Sequence, residues 1–495
     1  MLRWRARQVQ QATQGLGVMS AIIDRNRSLV FAGLVAALMG VLAVTPNGGV
    51  LVAALCAVTG LLSTATAVGA IFALLILRVI NPALGAGAAG EFELIAWGAM
   101  VLASGRIWLD ALTRRFPIQV ALPPFLLLYG AVLVPLCVFF SEAPALSLAK
   151  AFSFLVSVSA ITLGFAAMRG GERPASSWIK GIWICVIVLS LPTLLIPGIG
   201  YARDGQGFQG VLDHPQGFAI FLAPLVIWSL IVALSDGGRG RQIAIVLFLA
   251  AFAALWLTRG RTGFAAILLS TVALLLFRPR FFASLLGLAA TGLRRPWVVL
   301  GLILLVPVAV WQGPSIAGAL QDFLFKQASS DGLSGAFAVS RGFIIDQQII
   351  NFESSPWVGI GFGVSNSSTH GLEIAIDPLT GLPVGAATEK ANLFLAVLEE
   401  TGVIGALAFA PFFVMLVYRL ARSRNLAVAW AGLAALSTNI SEMTFFSLGG
   451  MGLYTWLIMA WALSESPPGR RAAAHPAQSG PRRWLGHKFG DMQKI

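Results

Sequence analysis

Charge is what this sequence has least of. Charged residues make up 11% of its 495 positions, less than half the ~25% usual in soluble domains. A content of 57% hydrophobic residues with a mean hydropathy of +0.83 excludes a cytosolic enzyme and a disordered chain alike. Cysteine is nearly missing too. Cys56, Cys137 and Cys185 lie far apart inside hydrophobic runs, so they read as buried small apolar residues, with no disulfide or thiolate framework. Histidine is as scarce, with only His214, His370, His475 and His487. The chain has no HExxH, no Ser/His/Asp order and no cysteine pair, so neither a metal nor another cofactor is expected.

Long apolar runs are what it has instead. They fall at roughly 28–45, 50–63, 66–80, 92–108, 119–141, 144–167, 178–197, 217–235, 242–258, 262–277, 297–312, 403–419, 425–440 and 443–463. Several approach the ~17–25 residues that a helix needs to cross a hydrocarbon core. The fold class this predicts is an all-α, polytopic transmembrane helical bundle of about 12–14 spans with one large extracytoplasmic loop. The first run begins near Ser28 and many others follow it, so it reads as a retained span and not a cleaved signal peptide.

The net charge of +13 does not point to nucleic acid. Much of it sits in the tails, at Arg3, Arg5, Arg7, Arg25 and Arg27 and at Arg470, Arg471, Arg482, Arg483, Lys488 and Lys494. Most of the rest flanks spans, as the positive-inside rule and anionic headgroups require. Placing both tails in the cytoplasm, with Arg114/Arg115, Arg169/Arg173, Arg239/Arg241, Arg278/Arg280, Arg294/Arg295 and Arg419/Arg422/Arg424, satisfies that rule. The expected organisation is a basic N-terminal tail at 1–27, a bundle at 28–312, a large outer loop at 313–390, C-terminal spans at 391–463 and a disordered tail at 464–495.

This orientation leaves three polar segments facing out. Gly198–Gln216 carries Arg203 and His214; His214 also reads simply as the residue that opens a helix before Pro215. Leu257–Gly263 carries Arg259 and Arg261, two guanidiniums one glycine apart that suit a single diphosphate, or else snorkel to headgroups. The large loop carries Arg341, His370 and the turn Gly359-Ile360-Gly361-Phe362-Gly363, which follows no strand and so is no dinucleotide fingerprint. The loop ends at Glu389-Lys390-Ala391-Asn392, after which Leu393, Val397 and Glu400 share one helix face.

Across residues 198–420 these pieces resemble, in order and sidedness, the O-antigen ligase and polysaccharide polymerase superfamily. The matching motifs are His214-Pro215-Gln216-Gly217, the turn LTRGRTGFAAILLS, Ser340-Arg341-Gly342, PWVGIGFG at 356–363 and NxFLxxLxExG at 392–402. The family commonly opens the last motif with His-Asn, where this chain has Ala391-Asn392, and has asparagine where Gln216 stands. The resemblance implies an inverting, metal-independent glycosyltransferase of the bacterial inner membrane, multi-pass with both termini cytoplasmic. Its partners would be a polyprenyl-diphosphate-linked glycan donor, a glycan or lipid-core acceptor and membrane lipid. It implies catalytic roles for Arg261, Arg341 and Glu389 or Lys390, and substrate contacts from Arg203, His214, Arg259, His370 and Asn392. A flippase or transporter for lipid-linked oligosaccharide is the rival expectation, disfavoured by spans nearly free of charge and by the lack of an internal repeat.

Overall fold

The computed structural model describes residues 48–81, 84, 90–113, 123–169, 176–202, 207–235, 238–278, 280–293, 342–364, 390 and 392–465. In chain order the helices are α1 Gly48–Gly60, α2 Thr64–Val79, α3 Gly90–Thr113, α4 Pro123–Phe139, α5 Pro144–Ala167, α6 Ser176–Thr193 and the single turn α7 Pro197–Gly200. They continue as α8 Pro215–Ser235, α9 Gly238–Leu257, α10 Arg261–Phe277, α11 Phe281–Leu293, α12 Phe343–Ser354, α13 Leu393–Ala421, α14 Leu426–Ser437 and α15 Met451–Ser464. Twelve of the apolar runs become helices at or near their expected positions. The runs at 28–45 and 297–312, the tails and most of the large loop lie outside the described residues.

Six helical segments, from α3, α5, α6, α8, α9 and α13, are long and apolar enough to cross a bilayer. Leu127, Leu276 and Leu407 lie on outer faces with 68%, 73% and 70% of their surface exposed. Such leucines are at ease in hydrocarbon and costly in water. The chain is a multi-pass helical membrane protein.

Side-chain caps and proline-led starts fix the ends. Ser63 and Thr66 form a capping box at α2, Asn392 caps α13 through Leu395 N, and Asn425 caps α14. Successive helices reverse direction, which sorts the connections onto two ends. At one end lie the C-termini of α2, α4, α6, α9 and α14 and the N-termini of α5, α8, α10, α13 and α15. Contacts join them there: Arg78 to Leu448 O, Asn81 to Ile199 O, and Phe208 N to Leu257 O. At the opposite end lie Arg169, Lys180, Arg241, Arg278, Arg422 and Arg424, with Arg278 Nη1 donating to Ser423 O at 3.2 Å. We call these the loop end and the basic end.

The centre of the bundle is aromatic. Phe154, Phe409, Phe412, Phe445, Phe446, Trp456 and Tyr129 interlock in edge-to-face, tilted and stacked pairs, contacts that add to simple area burial. Farther along, Trp183 Nε1 donates to Tyr454 Oη, which donates to Phe221 O, both at 2.8 Å. That chain satisfies the polar tips of α6 and α15 where no water is available.

Three details depart from expectation. Cys185 is exposed on α6 and not buried like Cys56 and Cys137. The last run does not make one span over 443–463: residues 438–450 form a 3-10 turn and loop, and α15 starts at Met451. Phe281–Leu293 is helical although no run was assigned there. Its apolar residues are interrupted by Ser284, Gly287 and Thr291, and it is anchored by Phe281 packed edge-on against Trp430 at 5.2 Å.

Candidate functional site

Two polar constructions occupy the loop end. The first is the turn joining α9 to α10. Thr258 Oγ1 donates to Leu255 O at 2.7 Å and accepts from Gly260 N at 3.0 Å, closing a tight side-chain-stabilised turn. The glycines let this turn lie flat on α8. A Cβ on Gly260 would stand 2.5 Å from Ala219 Cβ, and one on Gly263 would stand 2.6 Å from Leu255 Cδ1. Gly207 fits between Thr258 O and Pro215, and Phe208 N donates to Leu257 O at 3.0 Å. Residues 198–202 and 207–216, the start of α8 and the arginine turn are therefore one packed unit.

Both arginines of the turn are held against local preference. Arg259 is exposed and has φ of 53°, the single positive value for a non-glycine residue among the described residues. A left-handed conformation costs an L-residue roughly 1–2 kcal/mol. Arg261 is half-buried and opens α10, where the helix dipole disfavours a cation by roughly 0.3–1 kcal/mol. No side chain caps α10 at Gly260. Two arginines one glycine apart thus flank an uncapped helix N-terminus, and a helix N-terminus is a ready place for an anion. His214, exposed at the start of α8, accepts from Gln216 N through Nδ1 at 3.2 Å. In the neutral ring this leaves the proton on Nε2, available as a donor. Beside it, desolvation pushes the Asp213 carboxyl above its ordinary range, opposed by nearby backbone N–H groups and His214.

The second construction locks the large loop onto α13. Gly402 breaks the helix with φ 61°, and residues 356–361 lie in the break. Val403 N donates to Pro356 O at 2.9 Å and Ile404 N to Trp357 O at 3.1 Å, while Ile360 N and Gly361 N donate to the carbonyls of Glu399 and Glu400 at 3.0 and 3.1 Å. Gly359, Gly361 and Gly363 all have positive φ (73°, 123°, 69°), which L side chains resist. The resulting path drives Phe362 into the aromatic centre, 4.9 Å from Phe446 and 6.2 Å from Phe154. GIGFG is a hydrophobic plug.

Beneath the plug is a buried charge cluster. Lys390 Nζ lies 2.8 Å from Glu399 Oε2 and 3.0 Å from Glu400 Oε1, and donates to Val364 O at 3.0 Å. Burial alone would lower the Lys390 pKa, but the two carboxylates overcome it and the net direction is up. Glu399 also accepts from Asn351 Nδ2 at 2.7 Å and Gln348 Nε2 at 3.1 Å, both on α12. Lys150 Nζ donates to Gly363 O at 2.7 Å. Glu400 Oε2 and the Tyr129 hydroxyl are buried without a hydrogen-bond partner among the described residues.

The two constructions share a support, since the 3-10 turn Thr438–Ile440 packs against both α10 and α13. The structure thus brings Arg259, Arg261 and His214 into one unit and holds Lys390 and Asn392 in the other. Asn392 accepts from Leu395 N as a helix cap, and Lys390 is enclosed by carboxylates. Arg203, Arg341, His370 and Glu389 lie outside the described residues. Sequence reasoning missed Lys150, Glu399, Gln348 and Asn351. Only Glu400 carried a signal, by sharing the buried face of Leu393 and Val397. Among the described residues no group of three His, Cys, Asp or Glu side chains forms a candidate metal site.

Residues 224–410 match the family model described as O-antigen ligase, which bears out the resemblance read from the motifs. The matched stretch includes the arginine turn, the glycine plug and the Glu399–Glu400 pair, and begins after His214. It supports a membrane role in glycan ligation or polymerisation. No curated protein matches the chain.

Proposed function

Taking residues 224–410 as an O-antigen ligase segment, we propose that the chain transfers glycan from a polyprenyl-diphosphate carrier to a sugar hydroxyl at the loop end. In this reading the loop end faces the periplasm of a bacterial inner membrane, with both termini cytoplasmic. The observation that carries it is the arginine turn: two guanidiniums held at unfavourable backbone positions beside an uncapped helix N-terminus.

The chemistry then needs little more than placement. The diphosphate rests on Arg259, Arg261 and the first N–H groups of α10, with Arg203 and Arg341 as further contacts. The isoprenoid chain lies along the bundle in lipid. The acceptor hydroxyl attacks the anomeric carbon on the face opposite the diphosphate, so the configuration inverts as the carbon–oxygen bond to the carrier breaks. Fixed cations that strengthen their hold as negative charge gathers on the leaving group lower the barrier directly. Glu389 takes the hydroxyl proton, His214 and His370 contact the sugars, and Lys390 and Asn392 hold the adjoining wall.

Purified protein given a lipid-linked donor and an acceptor tests this. Arg261→Ala should cut turnover by ~10²–10³-fold, the usual loss when one preorganised charge-stabilising group is removed, while the protein stays folded and monodisperse. Transfer at the wild-type rate in that variant would refute the assignment. The same assay distinguishes transfer from passage, because a flippase would move the donor between leaflets and form no new glycosidic bond.

A further inference from the structure

At the basic end, opposite the arginine turn, the bundle holds a cavity of about 550 Å³ lined by Lys180, Trp183, Trp228, Gly240, Asn425 and Trp461 among others. We infer that it binds an anionic phospholipid of the adjacent leaflet, with the lipid phosphate on Lys180 and acyl chain between α6 and α9.

The walls argue for a lipid. The volume is in the range of small-ligand sites, ~300–1,000 Å³. Trp183, Trp228 and Trp461 form one aromatic group, with ring centroids 5.3, 5.9 and 6.4 Å apart. The rim is apolar and open on one side: Ile184 on α6 and Ile243 on α9 both line the cavity and are 42% and 51% exposed. In a bilayer such an opening at the basic end would lie near the boundary of hydrocarbon and headgroups, where tryptophan is enriched.

The mouth argues for an anion. Lys180 is exposed, and its ammonium stands over Trp228 at 5.5 Å and Trp461 at 6.0 Å, which keeps it at the cavity entrance. Among the described residues no carboxylate pairs with it. The N-termini of α6, α9 and α14 reach the cavity, none with an acidic residue in its first turn. The C-terminal halves of α8 and α15 reach it too, so the helix ends alone do not decide the sign; Lys180 does. Lysines beside anionic headgroups contribute ~1 kcal/mol each.

Phospholipids with brominated chains quench nearby tryptophan and give the test. The protein is reconstituted in phosphatidylcholine vesicles containing equal mole fractions of brominated phosphatidylglycerol or brominated phosphatidylcholine. Phosphatidylglycerol should quench with about fivefold higher apparent affinity, the equivalent of ~1 kcal/mol. Lys180→Gln should abolish that preference without affecting glycan transfer, and Trp228→Phe should remove part of the quenchable signal. Equal quenching by both lipids, or a preference surviving in Lys180→Gln, overturns the proposal. So does relief of quenching by inorganic phosphate at constant ionic strength, which would mean that the cavity takes free phosphate.

Discussion

Arg259 shows how a single residue can carry more meaning than its neighbours. Glycine would adopt its backbone conformation freely, yet an arginine stands there with φ 53°, so the side chain is kept at the expense of ~1–2 kcal/mol of local strain. Arg259→Gly separates the two terms. Relief of the strain, partly offset by the greater freedom of glycine in the unfolded chain, should leave thermal stability in detergent equal to or above wild type. Meanwhile the apparent KM for the lipid-linked donor should rise ~10–100-fold, the worth of a charge-assisted hydrogen bond of ~1.5–3 kcal/mol. A variant less stable than wild type with unchanged KM would mean that the arginine is structural. Arg261→Lys keeps the charge but loses the forked geometry, so donor discrimination should fall even where turnover survives.

Among elements, the break in α13 is the joint on which the large loop hangs. It is held by backbone hydrogen bonds, by the Phe362 plug and by Lys390 between Glu399 and Glu400. Lys390→Met leaves two buried carboxylates facing each other, and removing one partner of such a pair costs ~3–5 kcal/mol. The unfolding midpoint should drop sharply, and Glu400→Gln in that background should restore part of it; additive losses would disprove the coupling. Phe362→Ala empties a fully buried aromatic position, at ~3–5 kcal/mol, and should expose the 356–364 turn to limited proteolysis while the bundle stays intact. The sequence announced this joint only in fragments. The Leu393–Val397–Glu400 face and the glycines were legible because helical spacing and positive φ leave marks on residue type. Lys150, Gln348 and Asn351 were not, because they reach Gly363 and Glu399 across as many as 213 positions, and isolated polar residues look alike before the chain is folded.

On the scale of the whole molecule, the apolar runs predicted the helices well, since spanning a bilayer dictates length and composition together. They did less well where a helix is short and half apolar, as at Phe281–Leu293, or where polar residues and glycines interrupt a run, as in residues 438–450 before Met451. The sorting of connections gathers Arg169, Lys180, Arg241, Arg278, Arg422 and Arg424 at one end. Its assignment to membrane sides is open to direct measurement. With the native cysteines removed, a cysteine at position 259 should react with an impermeant thiol reagent from outside intact spheroplasts, and one at position 424 only after lysis; the reverse pattern would invert the topology. The central claim concerns the diphosphate, and competition binding to purified protein addresses it most directly. A sugar-free polyprenyl diphosphate should displace labelled donor much better than the corresponding monophosphate, and Arg259→Ala with Arg261→Ala should erase that difference. Equal displacement by the two carriers, or a diphosphate preference that persists in the double variant, would contradict the account.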